Sequence, residues 1–380
     1  MYSLKEVSLE DFTSFVKAIK ILGPKNYAAL SKFTGLPVET VRHRVKYLFV
    51  RKGVGIHIHV DHGKLGLTRY LLRLKFTNDF NEDSSVSFLE HLAKHGYLEY
   101  YGRLIPRGDY IVWLGLPTRF EFNYKAMLDK LVDVNFIENY SIYRVSWIRY
   151  LSMREDCYDF KRGVWSFDWN SLPSVKSEDI SIEEDTVLKP KLDEVDLWIV
   201  ASLQANALTS IQDAAEILKM NYKKILYHFK EHVIKNGIIK KYILVWNGGI
   251  GVEKLTYMLV AVEDVDDKDL KTLEKTFYRI PFTFFDTYST DARLYTAFML
   301  IPVEHLQNCL NFISKSLPKL RSHVFYELID LNCSKRFAIP LELYKDGQWR
   351  FNVSHILKKA YELMETPIKS EEGTPISLTR

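Results

Sequence analysis

Apolar positions along this chain follow two rhythms, one helical and one alternating, and the order of those rhythms occurs twice. Three short stretches with helical spacing come first, at residues 12–22, 26–33 and 38–52, with Gly35-Leu36-Pro37 separating the second from the third. An alternating β-type run follows at residues 54–60. The order then reads strand, helix, strand, strand, helix, strand: residues 70–76, 86–95, 98–104, 110–116, 124–131 and 137–147. Pro106-Arg107-Gly108-Asp109 supplies the turn between the middle strands.

A second set starts near residue 192. Helical spacing recurs at residues 195–204, 210–218 and 222–236, with Thr209 and Asn221 as candidate N-caps, and an alternating run occupies residues 238–246. Strand and helix patterns follow at 255–262, 269–277, 282–288, 294–300, 303–317 and 322–331. Sliding the sequence by 184 places Val38, Val41, Val45, Phe49 and Gly53 on Tyr222, Ile225, Phe229, Val233 and Gly237.

The pattern predicts an α+β protein in which two winged helix-turn-helix domains are each followed by a ferredoxin-like βαββαβ sandwich, with a C-terminal helix. The expected boundaries are winged helices at 1–62 and 191–247, sandwiches at 63–152 and 248–340, a linker at 153–190, and a helix and tail at 341–380.

Charge enters because the total conceals a distribution. Lys and Arg number 52 against 48 Asp and Glu, leaving +4. Residues 38–53 nevertheless carry net +4, residues 221–241 carry +5, and residues 177–196 carry −6. Both third helices therefore present a cationic face opposite an apolar stripe, as a helix entering a duplex groove requires. The expected DNA-contacting residues in the first copy are Glu39, Thr40, Arg42, His43, Arg44, Lys46, Arg51 and Lys52. In the second they are Lys223, Lys224, Tyr227, His228, Lys230, Lys235, Lys240 and Lys241.

Other chemistry is sparse. Three scattered cysteines form no disulfide or zinc pattern, and no apolar run is long enough to cross a membrane. The expected compartment is the cytoplasm, with nucleoid association. His57, His59, Asp61 and His62 have a spacing that suits a metal, yet a wing strand lying near phosphates accounts for them as well, and no metal or cofactor is expected. No phosphate-cradling loop and no nucleophile motif is present, so no enzymatic activity is expected.

The segments resemble the Lrp/AsnC regulators, through Leu192-Asp193, Asp196, Ile199, Leu203-Gln204 and Asn206-Ala207 in the second copy. In the first, the likeness lies in Gly35-Leu36, Thr40-Val41, Arg44-Val45, Leu48, Gly53, Lys64-Leu65-Gly66-Leu67 and Gly108-Asp109-Tyr110. The resemblance implies a transcriptional regulator that binds double-stranded DNA, with an amino acid or other small effector between paired sandwiches. Two copies in one chain imply an intramolecular pseudo-dimer, the alternative being a homodimer. Competing classes are an RNA-binding protein stacking bases on Tyr100, Tyr101 and Tyr110, a protein-interaction accessory factor of transcription or replication, and a metabolic enzyme with regulatory sandwiches.

Overall fold

The computed structural model describes residues 9–51, 54–151, 154–159, 162–173, 182, 184–186, 190–245 and 251–365. The chain begins with helices α1 (Leu9–Leu22), α2 (Tyr27–Thr34) and α3 (Val38–Lys46) and strand β1 (Gly55–Val60). Gly35 closes α2 at φ 70°, a conformation that glycine adopts without a Cβ clash. Next come β2 (Thr68–Phe76), α4 (Glu82–His95), β3 (Leu98–Ile105), β4 (Tyr110–Leu116), α5 (Glu121–Asp133), β5 (Ile137–Arg144) and β6 (Trp147–Tyr150). A two-residue hairpin, β7 (Tyr158–Asp159) with β8 (Val164–Trp165), lies in the connector.

The second set comprises α6 (Glu194–Ala205), α7 (Ile211–Ile217), α8 (Tyr222–Tyr227) and β9 (Ile239–Val245). It continues with β10 (Leu255–Val262), α9 (Asp267–Arg279), β11 (Thr283–Ser289), β12 (Leu294–Pro302), α10 (Val303–Ser316) and β13 (Val324–Arg336). The chain ends with β14 (Tyr344–Lys345), β15 (Gln348–Trp349) and α11 (Val353–Glu365). Asp193 and Ser210 start α6 and α7 with reciprocal capping boxes, so the cap of α7 is Ser210 rather than the expected Thr209.

The architecture is a mixed α/β protein around a large antiparallel sheet. Nine strands run in the order β5-β2-β4-β3-β13-β10-β12-β11-β6, and each half keeps the strand order of a ferredoxin-like unit. The halves join where β3 pairs with β13, from Leu328 opposite Ile105 to Arg336 opposite Tyr100, across a bulge between Asp330 and Ser334. The sheet then folds back on itself: Trp113 of β4 meets Phe285 of β11 and Phe298 of β12 at ring distances of 5.5 and 5.6 Å. Leu71, Leu104, Ile111, Leu259 and Ile329 complete this inter-sheet core. The helices cover the outer faces, forming two further cores.

Two expectations change. The strand expected at 137–147 breaks after Arg144, and β6 crosses to pair with β11 at the far edge of the second half. The third helix of each set gives way to a wider π-helical turn, at Tyr47–Arg51 and His228–Ile234, instead of continuing regularly. In the 153–190 connector, Trp165, Phe167 and Trp169 pack on Phe282 at 4.9–6.1 Å. Among the described residues, no helix is long and apolar enough to cross a membrane.

Candidate functional site

The two alternating runs that follow the third helices pair with each other. β1 and β9 form an antiparallel ribbon in which His57 lies opposite Ile243 and His59 opposite Lys241. Alternation puts Ile56, Ile58 and Val60 into the core with the flanking helices, and so directs His57 and His59 to the other face, against the open end of the folded sheet. There the His59 ring lies 4.7 Å from Tyr150, and His57 lies 6.3 Å from Phe284.

Arg336 stands directly across the β3–β13 seam from Tyr100. Its side chain remains exposed, yet burial lowers the guanidinium pKa, offset in part by Tyr150, Glu99 and Tyr257. Arg336 thus sits at the water-facing edge of the space between the β1–β9 ribbon and the folded sheet. Burial and then repulsion by Arg336 push the His57 imidazole down to about 3, so it is neutral at physiological pH, with a free lone pair to offer. Burial pushes the phenols of Tyr100, Tyr150 and Tyr257 up, keeping these walls uncharged. Among the described residues, no hydrogen-bond acceptor or carboxylate pairs with the Arg336 guanidinium; its register partner supplies only a ring.

A charged shelf supports this recess. His62 Nε2 lies 2.8 and 2.9 Å from the two oxygens of Glu99, and Arg69 Nη2 donates to His62 Nδ1 at 2.7 Å. The same Nδ1 lies 3.2 Å from the Val60 carbonyl, which also accepts from Arg69 Nη2 at 2.6 Å, so His62 is held on both ring nitrogens. Burial would raise the Glu99 pKa, but His62, Arg69 and Arg336 hold it below the usual carboxylate range. Gly115 makes this possible, since a Cβ there would collide with Glu99 and His62. From the connector, Asp185 pairs with Arg69, and Thr186 donates to Asp61 through both its amide (3.0 Å) and its hydroxyl (2.6 Å). His57, His59, Asp61 and His62 therefore do not converge as one metal cluster.

The expected DNA-contacting residues fall elsewhere. Glu39, Arg42, His43 and Lys46 are exposed, with Arg42 and Glu39 paired at 3.2 Å, while Thr40 and Arg44 are half-buried. The Arg51 side chain and Lys52 lie outside the described residues. Lys223, Lys224, Tyr227, Lys230 and Lys235 are exposed, and Lys241 is half-buried. Two of the assigned residues face inward. His228 is buried against Asp196 at 2.9 Å, and Lys240 is drawn to Asp61 at 3.6 Å and to the Glu184 carbonyl at 2.7 Å. Sequence reading passed over Arg336, Tyr150, Tyr257 and Phe284 altogether. The one available signal was the unexplained pair of histidines two apart on a strand.

No family model and no curated protein matches this chain. Among solved structures, the siroheme decarboxylase NirDL in complex with an iron-uroporphyrin III analogue is 13% identical, covers 93% of this chain and 100% of its own, and superposes with a TM-score of 0.54. A second crystal structure of NirDL also covers 93% of this chain and 98% of its own, at 13% identity and TM-score 0.52. B. subtilis LrpC is 19% identical and covers 37% of this chain, with a TM-score of 0.30. The fold shared over nearly the whole length is thus that of an enzyme. This corrects two expectations, that the chain is a double-stranded-DNA-binding transcriptional regulator and that it has no catalytic activity.

Proposed function

We propose that this chain is an enzyme that binds an iron tetrapyrrole bearing several carboxylates, in the recess between the β1–β9 ribbon and the folded sheet, and removes CO2 from it. The observation that carries the reading is Arg336, a water-facing cation with no anionic hydrogen-bond partner among the described residues, close enough to the neutral His57 to repel a proton from it. An arginine with no carboxylate partner keeps its donors available, and a planar guanidinium is suited to receive a carboxylate. Tyr150 and Phe284, packed edge to face at 6.0 Å, add aromatic surface beside these groups.

The chemistry follows from those groups. A carboxylate docked between Arg336 and His57 replaces repulsion on the imidazole with attraction and raises its pKa, so a proton is taken up with the substrate. When the bond to the carboxylate carbon breaks, CO2 leaves and its electron pair stays on the remaining carbon. The His57 proton then fills that position, and the bookkeeping of atoms and charge closes. Helices α1–α3 with β1, and α6–α8 with β9, read as two winged helix-turn-helix units, a tandem arrangement with boundaries near residues 62, 152, 190, 247 and 340. Here the wings serve as the roof of the site, and the two sandwiches act as an intramolecular pseudo-dimer.

The test is titration of the purified chain with iron-uroporphyrin III, following its absorption spectrum, with mass spectrometry for loss of CO2. Arg336→Ala should weaken binding roughly 10- to 100-fold, the range for one charged hydrogen-bonding group. His57→Gln should bind but give no product. Absence of binding, or variants that match the wild type, would sink the proposal.

A further inference from the structure

Within the second helical set, Asp196 of α6, His228 and His232 bring three ligand atoms within 4.8 Å of one another. We propose that they form a binding site for a late first-row divalent cation, Zn2+ by ligand type, which fastens α6 to the π-helical turn after α8. The inference stands apart from the tetrapyrrole reading, since none of the three residues belongs to that recess.

The geometry is convergent. The Nδ1 of His228 lies 2.9 Å and the Nδ1 of His232 3.1 Å from the same oxygen, Asp196 Oδ1. His232 Nδ1 also lies 3.1 Å from Oδ2. Donor atoms bound at roughly 2.0–2.2 Å around one Zn2+ sit about 3.3 Å apart, so both nitrogen–oxygen spacings match, and the two imidazoles need only turn toward the ion. The other oxygen, Oδ2, accepts the Asp193 amide at 3.0 Å as part of the helix cap, which fixes the carboxylate. That tie performs the orienting role that outer hydrogen bonds play at metal centres.

Three features favour a cation over a simple hydrogen-bonded trio. Asp196 is fully buried and His228 nearly so, and among the described residues no lysine or arginine pairs with that carboxylate, an expensive arrangement for a buried charge. Asp193, whose oxygen lies 3.7 Å from His228 Nδ1, adds negative charge rather than relieving it. The imidazoles are four residues apart on a π-helical segment, and a histidine pair at that spacing on one helical face is a known metal-binding arrangement. Two imidazoles and one carboxylate form a ligand set of borderline character that zinc accepts. His232 is only partly covered, leaving a route for the ion and a coordination position for water.

The experiment uses the full chain stripped with chelator and titrated with Co2+ and with Zn2+. It reads the visible cobalt absorption, the heat of binding and the shift in melting temperature. The expected result is one cobalt per chain with a tetrahedral-type spectrum, displaced by Zn2+, and a higher melting temperature with metal. His232→Gln should weaken binding at least about tenfold while retaining the far-UV spectrum of the wild type. His95→Gln, on α4, should bind as the wild type does. Should His228→Gln fail to fold, the partly exposed His232→Gln alone carries the comparison. No stoichiometric binding by the wild type, or equal affinity in His232→Gln, would overturn the proposal and leave a hydrogen-bonded trio.

Discussion

At the scale of the residue, the decisive groups differ in how far their role depends on distant strands. Gly115 is a clear case: its missing side chain is the space filled by Glu99 and His62. We expect Gly115→Ala to destabilise the fold by about 1–3 kcal/mol, the usual cost of overpacking, and Glu99→Ala to recover part of that loss by removing the obstacle. Denaturant unfolding of both single variants and the double variant measures the coupling, and strictly additive losses would show that the two positions do not meet. His57 and His59 were visible in the sequence because period-two spacing assigns them to one face. Arg336 was not, because a lone arginine at a strand end acquires meaning only when Tyr100, Glu99 and Tyr257 arrive from other strands. The exposed cations of α3 and α8 are a warning in the same terms. An amphipathic helix in water carries such a face whether or not it meets a polyanion.

At the scale of the element, local signals were legible and partners were not. The spacing of Val41, Val45, Ile225 and Val233 places helices correctly, and the antiparallel order of each half follows from alternation and turn residues. Nothing local could reveal that β1 and β9 pair with each other, or that β6 leaves its own half, since both depend on contacts across most of the chain. The C-terminal helix α11 adds a testable dependence on pH. It docks on α4 with Ile356 and Ala360 buried, and His355 stacks on His95 at 5.6 Å while His91 lies 4.5 Å from His95. Burial first, then His95, Lys359 and His355, lower the His91 pKa from 6.5, the backbone of His355 opposing. Burial, His355 and Lys94 do the same for His95, with Glu342 opposing. A depressed imidazole pKa in the folded state means that the unfolded form takes up protons first as pH falls. Docking should therefore be complete above 6.5 and weaken below it. Amide exchange along α11, corrected for intrinsic rates, should be faster at about pH 5.5 than at about pH 7.5, and His95→Gln should flatten that difference.

At the scale of the whole molecule, the seam between the halves gives the chain both its continuity and its recess. The β3–β13 pairing makes one ladder of two units, and the space between their inner faces is filled by Trp113, Phe285 and Phe298. Phe298 is fully buried, stacks on Phe285 at 4.4 Å and also touches Tyr257, one wall of the proposed site, at 6.3 Å. Truncating it leaves a cavity that neither sheet can close alone, because each is held in register by the other. Phe298→Ala should therefore cost about 3–5 kcal/mol, as other buried phenylalanine truncations do. The loss should reach both halves together. Tryptophan fluorescence samples residues on both sides of the seam, Trp113 and Trp147 among them, and far-UV dichroism samples the whole chain. Coincident thermal transitions by the two probes, shifted down together in the variant, are what a shared sheet demands. Separate transitions, with one half keeping the wild-type midpoint, would mean that the two units merely touch. The recess at their junction would then lack the rigidity that a binding site built from both requires.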